Sequence, residues 1–314
     1  MITTVQLLFG VTFLVGGAYF LVEGASGIAR RLHVGSLTIG LTIVALGTSA
    51  PELAVNSVAA VRGYGDIGIA NVIGSNIFNV LAALGIAALV SHLTVRSTTV
   101  RYEIPMCLAS AIVLLVLIDS GTLTRMNAML LLALFVAFLV YTAVTARASG
   151  SGLVPELSGN IRDLSLSRAL VYLVGGCAAV ILGGEWVVNA AVSLAEQLGV
   201  SERVIGLTIV AVGTSLPEAA TSVVAVFRGE TDIAVGNAVG SCLTNVFLVL
   251  GVTAAISPVS VGPEAFHDGL MYLAGAAMLL AFALLPSPGR IHRIEGSVML
   301  LGYAAYIWYT VSVG

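Results

Sequence analysis

G-T-S-A-P-E at residues 47–52 returns as G-T-S-L-P-E at residues 213–218, and each copy lies inside a long apolar stretch. Each copy ends in a carboxylate, Glu52 in the first and Glu218 in the second. An ionisable side chain within a membrane-spanning segment is energetically expensive and by default marks a substrate or ion pathway. Two such side chains at equivalent positions therefore predict one shared cation site inside a membrane protein.

The composition around these motifs is that of an all-α polytopic membrane protein. Of the 314 residues, 58% are hydrophobic and only 9% are charged, and the mean hydropathy is +1.06. Apolar runs of about 20 residues predict spanning helices. Ten such runs occur, at roughly 5–29, 34–61, 66–90, 101–118, 125–146, 167–195, 200–227, 232–256, 267–285 and 295–312. The first run lacks a basic leader and a cleavage site, so we expect it to be retained as a helix.

Neither the net charge nor the cysteine content indicates a nucleic-acid-binding, disulfide-rich or zinc-binding protein. The formal net charge of −3 does not indicate a nucleic-acid partner. Cys107, Cys177 and Cys242 lie in separate apolar segments without C-x-x-C spacing, so neither a disulfide framework nor a zinc site is indicated. The short gaps between predicted helices leave no room for a soluble catalytic or regulatory domain.

The distribution of arginine predicts the orientation of the chain. Lysine is absent; ten arginines fall in the odd-numbered gaps between predicted helices and three in the even-numbered gaps. Positively charged loops face the cytoplasm. The odd gaps are therefore predicted to be cytoplasmic, with both termini on the outer side of the cell membrane.

An internal repeat organises the whole chain. Residues 40–90 align without a gap onto residues 206–256, at a constant offset of 166, with about half of the positions identical. The repeat unit holds five predicted helices, and an odd number forces the two copies to insert with opposite orientations. Inverted repeats are a known plan of secondary transporters, with the site near the middle of the membrane. We predict ten transmembrane helices as two inverted five-helix repeats, over 1–146 and 167–314, joined by a cytoplasmic linker over 147–166.

The residues of the two motifs suit a hard cation. Pro51 and Pro217 each precede the motif glutamate, and proline breaks a helix because it lacks a backbone donor and clashes with the preceding turn. A broken helix at membrane depth is tolerated only where it lines a cavity or is buried in protein. Freed carbonyls, hydroxyls and carboxylates are oxygen ligands, which suit sodium, calcium and magnesium.

The segment after each motif repeats this logic with polar residues on one helix face. Residues four apart share a helix face, and this spacing joins Thr48 to Glu52, Thr214 to Glu218, Ser75 to Asn79, and Ser241 to Asn245. Four helices are thus predicted to supply oxygens to a common centre. With both glutamates ionised the centre carries a charge of about −2, which one divalent cation neutralises.

The doubled G-T-S-x-P-E motif, with G-S-x-x-x-N after each copy, resembles the sodium/calcium exchanger family of the calcium/cation antiporter superfamily, in its prokaryotic form. The resemblance implies alternating-access antiport of about three sodium ions against one calcium ion, with no covalent chemistry and no cofactor. It also implies a ligand set: Glu52 and Glu218 as calcium carboxylates; Thr48, Ser49, Thr214 and Ser215 as hydroxyl or carbonyl ligands; Ser75, Asn79, Ser241 and Asn245 completing the centre; and the Ala45 and Ala211 carbonyls at flanking sodium sites.

This chain departs from the family pattern in two ways. Some prokaryotic relatives and the potassium-dependent branch carry aspartate at the position of Asn245, so the asparagine argues against potassium co-transport. The long regulatory insert of animal exchangers is also missing between the halves. The expected partners are calcium ions, sodium ions and the lipid bilayer, with no nucleic acid and no implied protein partner.

Other functions remain as alternatives. An intramembrane hydrolase built on Ser49 or Ser215 would need a base within hydrogen-bond reach, and the four histidines are expected in loops or at helix ends, so an enzyme is not expected. A cation channel also uses rings of carboxylates, but proline-broken helices in inverted halves favour antiport. Among antiporters, a proton-coupled exchanger or one for another divalent cation is the alternative.

Overall fold

The computed structural model describes residues 2–149, 164–197, 211–262 and 264–313. Its helices follow the apolar runs of the sequence. In chain order they are α1 (Ile2–Leu32), α2 (Ser36–Thr48), α3 (Ala50–Val61), α4 (Gly65–Ile77, continued by Phe78–Ala83 and Leu84–Val90), α5 (Thr99–Glu103, continued by Ile104–Ile118), α6 (Arg125–Ser149), α7 (Leu166–Gln197), α8 (Ala211–Gly213), α9 (Leu216–Phe227), α10 (Thr231–Thr244, continued by Asn245–Val249 and Leu250–Ile256), α11 (Glu264–Leu284) and α12 (Arg293–Val313).

The architecture is that of a multi-pass helical membrane protein. Within the described ranges, seven helices are long and apolar enough to span a bilayer, and the bent pair α2–α3 makes an eighth. The seventh predicted span, 200–227, begins in residues outside the described ranges. Most of the predicted linker, 147–166, also lies outside them. The ten-helix count therefore stays a prediction.

Two helices form the centre of the protein. Buried residues make up 83% of the apolar window in α4 and 78% in α10, against 28–44% in the other long spans. Close approach is possible because glycine faces the neighbouring backbone: a Cβ on Gly240 of α10 would lie 2.5 Å from the Leu41 carbonyl oxygen of α2. The polar residues that follow each motif, Ser75 and Asn79 in α4 and Ser241 and Asn245 in α10, therefore lie in the most buried helices.

The two longest helices, α1 and α7, pack against each other in antiparallel fashion through small residues. A Cβ on Gly10 would meet the Gly183 carbonyl, one on Gly17 the Gly176 carbonyl, and one on Gly24 the Ala169 carbonyl, all at 2.6–3.1 Å. Small residues at helix interfaces let backbones touch, and packing of this kind replaces the hydrophobic driving force that lipid does not supply. Gly10 and Gly176, like Gly17 and Gly183, are related by the offset of 166, so the packing relates equivalent positions of the two halves.

Short antiparallel strand pairs join loops that are distant in the sequence. β1 (Leu93–Thr94) pairs with β4 (Arg290–Ile291), and β2 (Thr122–Leu123) pairs with β3 (Val259–Ser260). The first pair joins the third gap to the ninth, and the second pair joins the fourth to the eighth. The loops thus group on two faces as the arginine distribution groups them, and which face is cytoplasmic stays a prediction.

Candidate ion-binding site

The first motif breaks the helix at its serine. Ser49, with φ −81° and ψ 6°, separates α2 from α3, and the two helices meet at an angle of 44°. Pro51 lies in the first turn of α3, where its missing N–H costs nothing. The carbonyl of Gly47, four residues earlier, instead accepts a hydrogen bond from the Cys177 thiol of α7 at 3.3 Å. A residue of the second half therefore satisfies the backbone group that proline leaves without its helical donor.

The second motif has the same local geometry. Ser215, with φ −94° and ψ 2°, lies before α9, and Pro217 is in the first turn of that helix. Glu218 and its counterpart Glu52 therefore both lie in the first turn of a helix. Each carboxylate therefore lies next to the partial positive charge of a helix N-terminus.

Both motif carboxylates are fully buried. Each accepts a hydrogen bond from a serine hydroxyl of the helix that follows in the same half. Ser75 donates to Glu52 at 3.4 Å, and Ser241 donates to Glu218 at 3.5 Å. The Oε2 atom of each glutamate has no hydrogen-bond partner among the described residues. A buried acceptor without a donor is costly, so these two oxygens are available to a ligand.

Hydrogen bonds also cross between the halves. Ser49 donates to Oε1 of Glu218 at 3.3 Å. Thr48 donates to Oδ1 of Asn237 at 3.1 Å, and its counterpart Thr214 donates to Oδ1 of Asn71 at 3.2 Å. Because each threonine gives its proton to an asparagine, its lone pairs remain free to accept or to coordinate.

The predicted asparagine ligands lie at the widened turns of the two central helices. Asn79 is in the π-helical segment Phe78–Ala83 of α4, and Asn245 begins the π-helical segment Asn245–Val249 of α10. Single π turns occur frequently at functional sites. Both side chains are fully buried; neither polar atom of Asn79 nor Oδ1 of Asn245 has a partner among the described residues. Asn245 donates from Nδ2 to Asn76 at 3.2 Å.

The remaining predicted ligands occupy the two helix breaks. Ser215 is buried, and its hydroxyl has no partner among the described residues. The Ala45 carbonyl accepts the Ser49 N–H at 2.9 Å, and its oxygen lies 3.3 Å from the Thr48 hydroxyl oxygen. Ala211 begins the short helix α8, but its side chain lies outside the described set.

Sequence reasoning did not assign a role to Asn71 and Asn237, which hold the site threonines. Asn237 donates from Nδ2 to the Glu218 carbonyl at 3.2 Å and to Ser222 at 3.3 Å, while Asn71 donates to Asn56 at 3.0 Å. These donor bonds turn each amide oxygen toward its threonine. The signal was present, since both asparagines are retained at the offset of 166.

The donor set as a whole is oxygen-rich and poor in charge. Within the described ranges no group of three or more His, Cys, Asp or Glu side chains is arranged to hold a metal. A cation at this centre would therefore be held by two carboxylates and by neutral hydroxyl and amide oxygens. Such a set suits sodium or calcium rather than zinc or copper.

Comparisons with known proteins point the same way. A family model described as "Sodium/calcium exchanger protein" matches residues 2–144 and 168–312. The chain is 36% identical over 311 residues to a putative antiporter, CaxA, of Alkalimonas amylolytica, covering 98% of both chains. It is 33% identical over 338 residues to the sodium/calcium exchanger MaX1 of Methanosarcina acetivorans, covering 96% of both. Its fold matches the solved sodium-calcium exchanger NCX_Mj, soaked with Na⁺ and Ca²⁺, with a TM-score of 0.85 and 29% identity over 98% of both chains.

Proposed function

This chain belongs to the sodium/calcium exchanger protein family, whose members are cation antiporters, and on that premise we propose that it exchanges sodium for calcium by alternating access. The observation that carries the proposal is that the two broken helices meet: Glu52 and Glu218 are both fully buried, and Ser49 of the first motif donates to Glu218 of the second at 3.3 Å. We propose that the halves 1–146 and 167–314 are inverted five-helix repeats joined by the cytoplasmic linker 147–166. The antiparallel packing of α1 on α7 supports this symmetry.

The calcium-binding role of the two glutamates rests on oxygens that lack a donor. Oε2 of Glu52 and Oε2 of Glu218 take the calcium ion, since each is buried and has no hydrogen-bond partner among the described residues. Neutral oxygens complete the centre and form flanking sodium sites, from Thr48, Ser49, Thr214, Ser215, Ser75, Ser241, Asn79, Asn245 and the carbonyls of Ala45 and Ala211. Buried acceptors of this kind are stabilised when a cation replaces the missing donor.

The stoichiometry that we propose, about three Na⁺ for one Ca²⁺, comes from the family resemblance, and charge balance shows what it implies. Two ionised glutamates give the centre a charge of about −2, so one Ca²⁺ leaves it neutral and three Na⁺ leave about +1. Exchange of about three Na⁺ for one Ca²⁺ then moves net charge across the membrane and is electrogenic. An empty site retains its full negative charge in an apolar surrounding and resists crossing, which couples the two fluxes. Asn245 adds no third carboxylate, so potassium co-transport is not part of the proposal.

Calcium uptake into sodium-loaded proteoliposomes tests the proposal directly. We expect uptake by the unaltered protein to need an outward sodium gradient and to respond to membrane potential. Glu52→Gln and Glu218→Gln should each abolish it, because each removes half of the charge that holds calcium. Glu185→Gln is the matched control, since Glu185 is an exposed glutamate of α7 with no acidic counterpart in the first half.

The outcomes separate the alternatives. Retained exchange in either motif variant would contradict the assigned site. Uptake that persists without sodium and follows an imposed pH gradient would instead identify a proton-coupled antiporter. Calcium flux that neither saturates nor needs a counter-ion would identify a channel. The proposed location is the cell membrane, with both termini on its outer side.

A further inference from the structure

Two buried residues at equivalent positions of the repeats contact each other between the two central helices. Asn76 of α4 and Cys242 of α10 are related by the offset of 166, and both are fully buried. The Asn76 amide donates from Nδ2 to the Cys242 carbonyl at 3.2 Å, and the Cys242 thiol donates to the Asn76 carbonyl at 3.8 Å. The contact is therefore reciprocal, although one partner is an amide and the other a thiol.

The amide of Asn76 has a second polar end that the thiol lacks. Its Oδ1 accepts a hydrogen bond from Nδ2 of Asn245 at 3.2 Å. An asparagine side chain carries both a donor end and an acceptor end, whereas a cysteine side chain has a single, weakly polar sulfur. Asn76 therefore bonds the backbone of α10 with one end and a predicted ligand of the ion site with the other.

These bonds decide which end of the Asn245 amide is free. A backbone carbonyl only accepts, so the end of Asn76 that meets the Cys242 carbonyl must be Nδ2. The other end is then Oδ1, which only accepts, so the atom of Asn245 that meets it must be Nδ2. Oδ1 of Asn245 is left buried without a hydrogen-bond partner among the described residues. The free end of Asn245 is therefore an oxygen, which is the atom that binds a hard cation.

Asn79, the counterpart of Asn245 in the first half, is not held in this way. It is fully buried, and neither Oδ1 nor Nδ2 has a hydrogen-bond partner among the described residues. The torsion that turns an asparagine amide is broad and roughly two-fold, so the oxygen and nitrogen of Asn79 exchange places without losing a bond. The repeats thus supply equivalent asparagines, of which one is oriented by the protein and the other is not.

We propose that Asn76 is a positioning residue of the ion site, which holds the amide of Asn245 so that Oδ1 is presented to the cation. The inference rests on the proposed function, in which Asn245 completes the centre together with Ser241, four residues earlier on the same helix face. Ser241 itself donates to Glu218 at 3.5 Å. Because a ligand that is already oriented loses less freedom on binding, Asn245 should contribute more to cation affinity than Asn79.

Sodium-driven calcium uptake into proteoliposomes, measured over a range of calcium concentrations, tests the proposal. Asn76→Cys introduces the residue that occupies the equivalent position of the other half. It should raise the KM for calcium about fivefold, the effect of one hydrogen bond, and should leave kcat nearly unchanged, because the lost interaction contributes to binding. The Cys242 carbonyl keeps a donor in this variant, since it also accepts the backbone N–H of Asn245.

Two double variants separate positioning from packing. In an Asn245→Ala background, Asn76→Cys has no amide left to orient and should not raise KM further. In an Asn79→Ala background, the same change should raise KM by the factor seen in the unaltered protein. A loss of packing at position 76 would raise KM equally in both backgrounds, so the comparison is a readout that a purely structural role does not move.

A further variant and a further measurement keep the test decisive. Asn76→Leu has nearly the shape of asparagine and lacks both polar ends; it should give the same increase in KM, and it replaces Asn76→Cys if that variant does not fold. If Asn245→Ala leaves too little uptake to measure, the calcium concentration that half-protects the detergent-solubilised protein against thermal unfolding gives the same comparison.

The outcomes distinguish this inference from the proposed function. Absence of sodium-driven uptake by the unaltered protein would overturn the proposed function and this inference with it. With that uptake present, an unchanged KM in both position-76 variants would overturn the positioning role alone. An effect of Asn76→Cys in the Asn245→Ala background as large as in the Asn79→Ala background would overturn it as well.

Discussion

The loops that follow the two motif-bearing helices carry equivalent arginines in different surroundings. Arg228, after α9, forms an ion pair with Glu23 of α1, and its guanidinium carbon lies 4.2 Å from the centroid of the Tyr19 ring. Arg62, its counterpart after α3, is exposed and forms no ion pair within the described ranges. The residue equivalent to Glu23 at the offset of 166 is Asn189, which has no charge to pair with Arg62.

This difference shows that the symmetry is strongest near the centre and weaker at the two faces. Near the centre, the bonds of Thr48 and Thr214 to asparagines of the opposite half are equivalent. At the faces, α1 forms an ion pair with a loop through Glu23, whereas the equivalent position of α7 is the uncharged Asn189. Glu230, in the same loop as Arg228, is also buried, and burial raises the pKa of its carboxyl. The two arginine–carboxylate ion pairs of the described residues, Arg228–Glu23 and Arg96–Asp232, both lie at the arginine-rich face.

The largest effect on stability should come from breaking the charged contact. Glu23→Gln leaves Arg228 mostly buried and without its counter-charge, which we expect to destabilise the protein by about 3 kcal/mol. Reversible unfolding in mixed detergent micelles measures this. Arg62→Gln, which changes the counterpart of Arg228 in the other half, is the control and should be close to neutral. Equal effects of the two substitutions would contradict the asymmetry.

An intermediate effect is expected at the contact of α1 with α7, where the halves are alike. A Cβ on Gly17 would lie 2.7 Å from the Val180 nitrogen, and one on Gly183 would lie 2.4 Å from the Leu14 nitrogen. Gly17→Ala and Gly183→Ala should therefore each cost about 2 kcal/mol through overpacking. The same unfolding measurement compares them.

Gly16→Ala is the control for this contact, because no described atom outside the neighbouring backbone of its own helix lies within 4 Å of its added methyl group. It should be neutral or slightly stabilising, since alanine favours a helix over glycine. A loss of stability at Gly16 as large as at Gly17 would show that the helix contact is not the cause.

The smallest effect should separate the two motif threonines. Thr48→Val removes a bond to Asn237 and a 3.4 Å contact with Ser241, whereas Thr214→Val removes the bond to Asn71. One hydrogen bond contributes about 1 kcal/mol, so Thr48→Val should lower the apparent affinity for calcium about fivefold. Thr214→Val should lower it less. The calcium dependence of uptake measures both, and a larger effect at Thr214 would reverse the expected order.

Much of the candidate site could be predicted because its motifs occur twice in the sequence. The spacing of Thr48 and Glu52, and of Ser75 and Asn79, reports a shared helix face, and the gapless offset brings in their counterparts. The bond from Cys177 to the Gly47 carbonyl could not be predicted. Gly47 and Cys177 are too far apart in the sequence for helical periodicity to connect them, and they are not equivalent positions of the two repeats.

The amino-acid sequence alone determined that this is a membrane protein, that it contains an internal repeat and that each repeat has a glutamate directly after a proline. These features can be read from the sequence because composition and periodicity are local properties. Only the tertiary structure decided that Asn245 donates to Asn76 and that Arg228 meets Glu23. Contacts of this kind depend on how helices far apart in the chain pack together, and packing is set by the whole set of side chains at once.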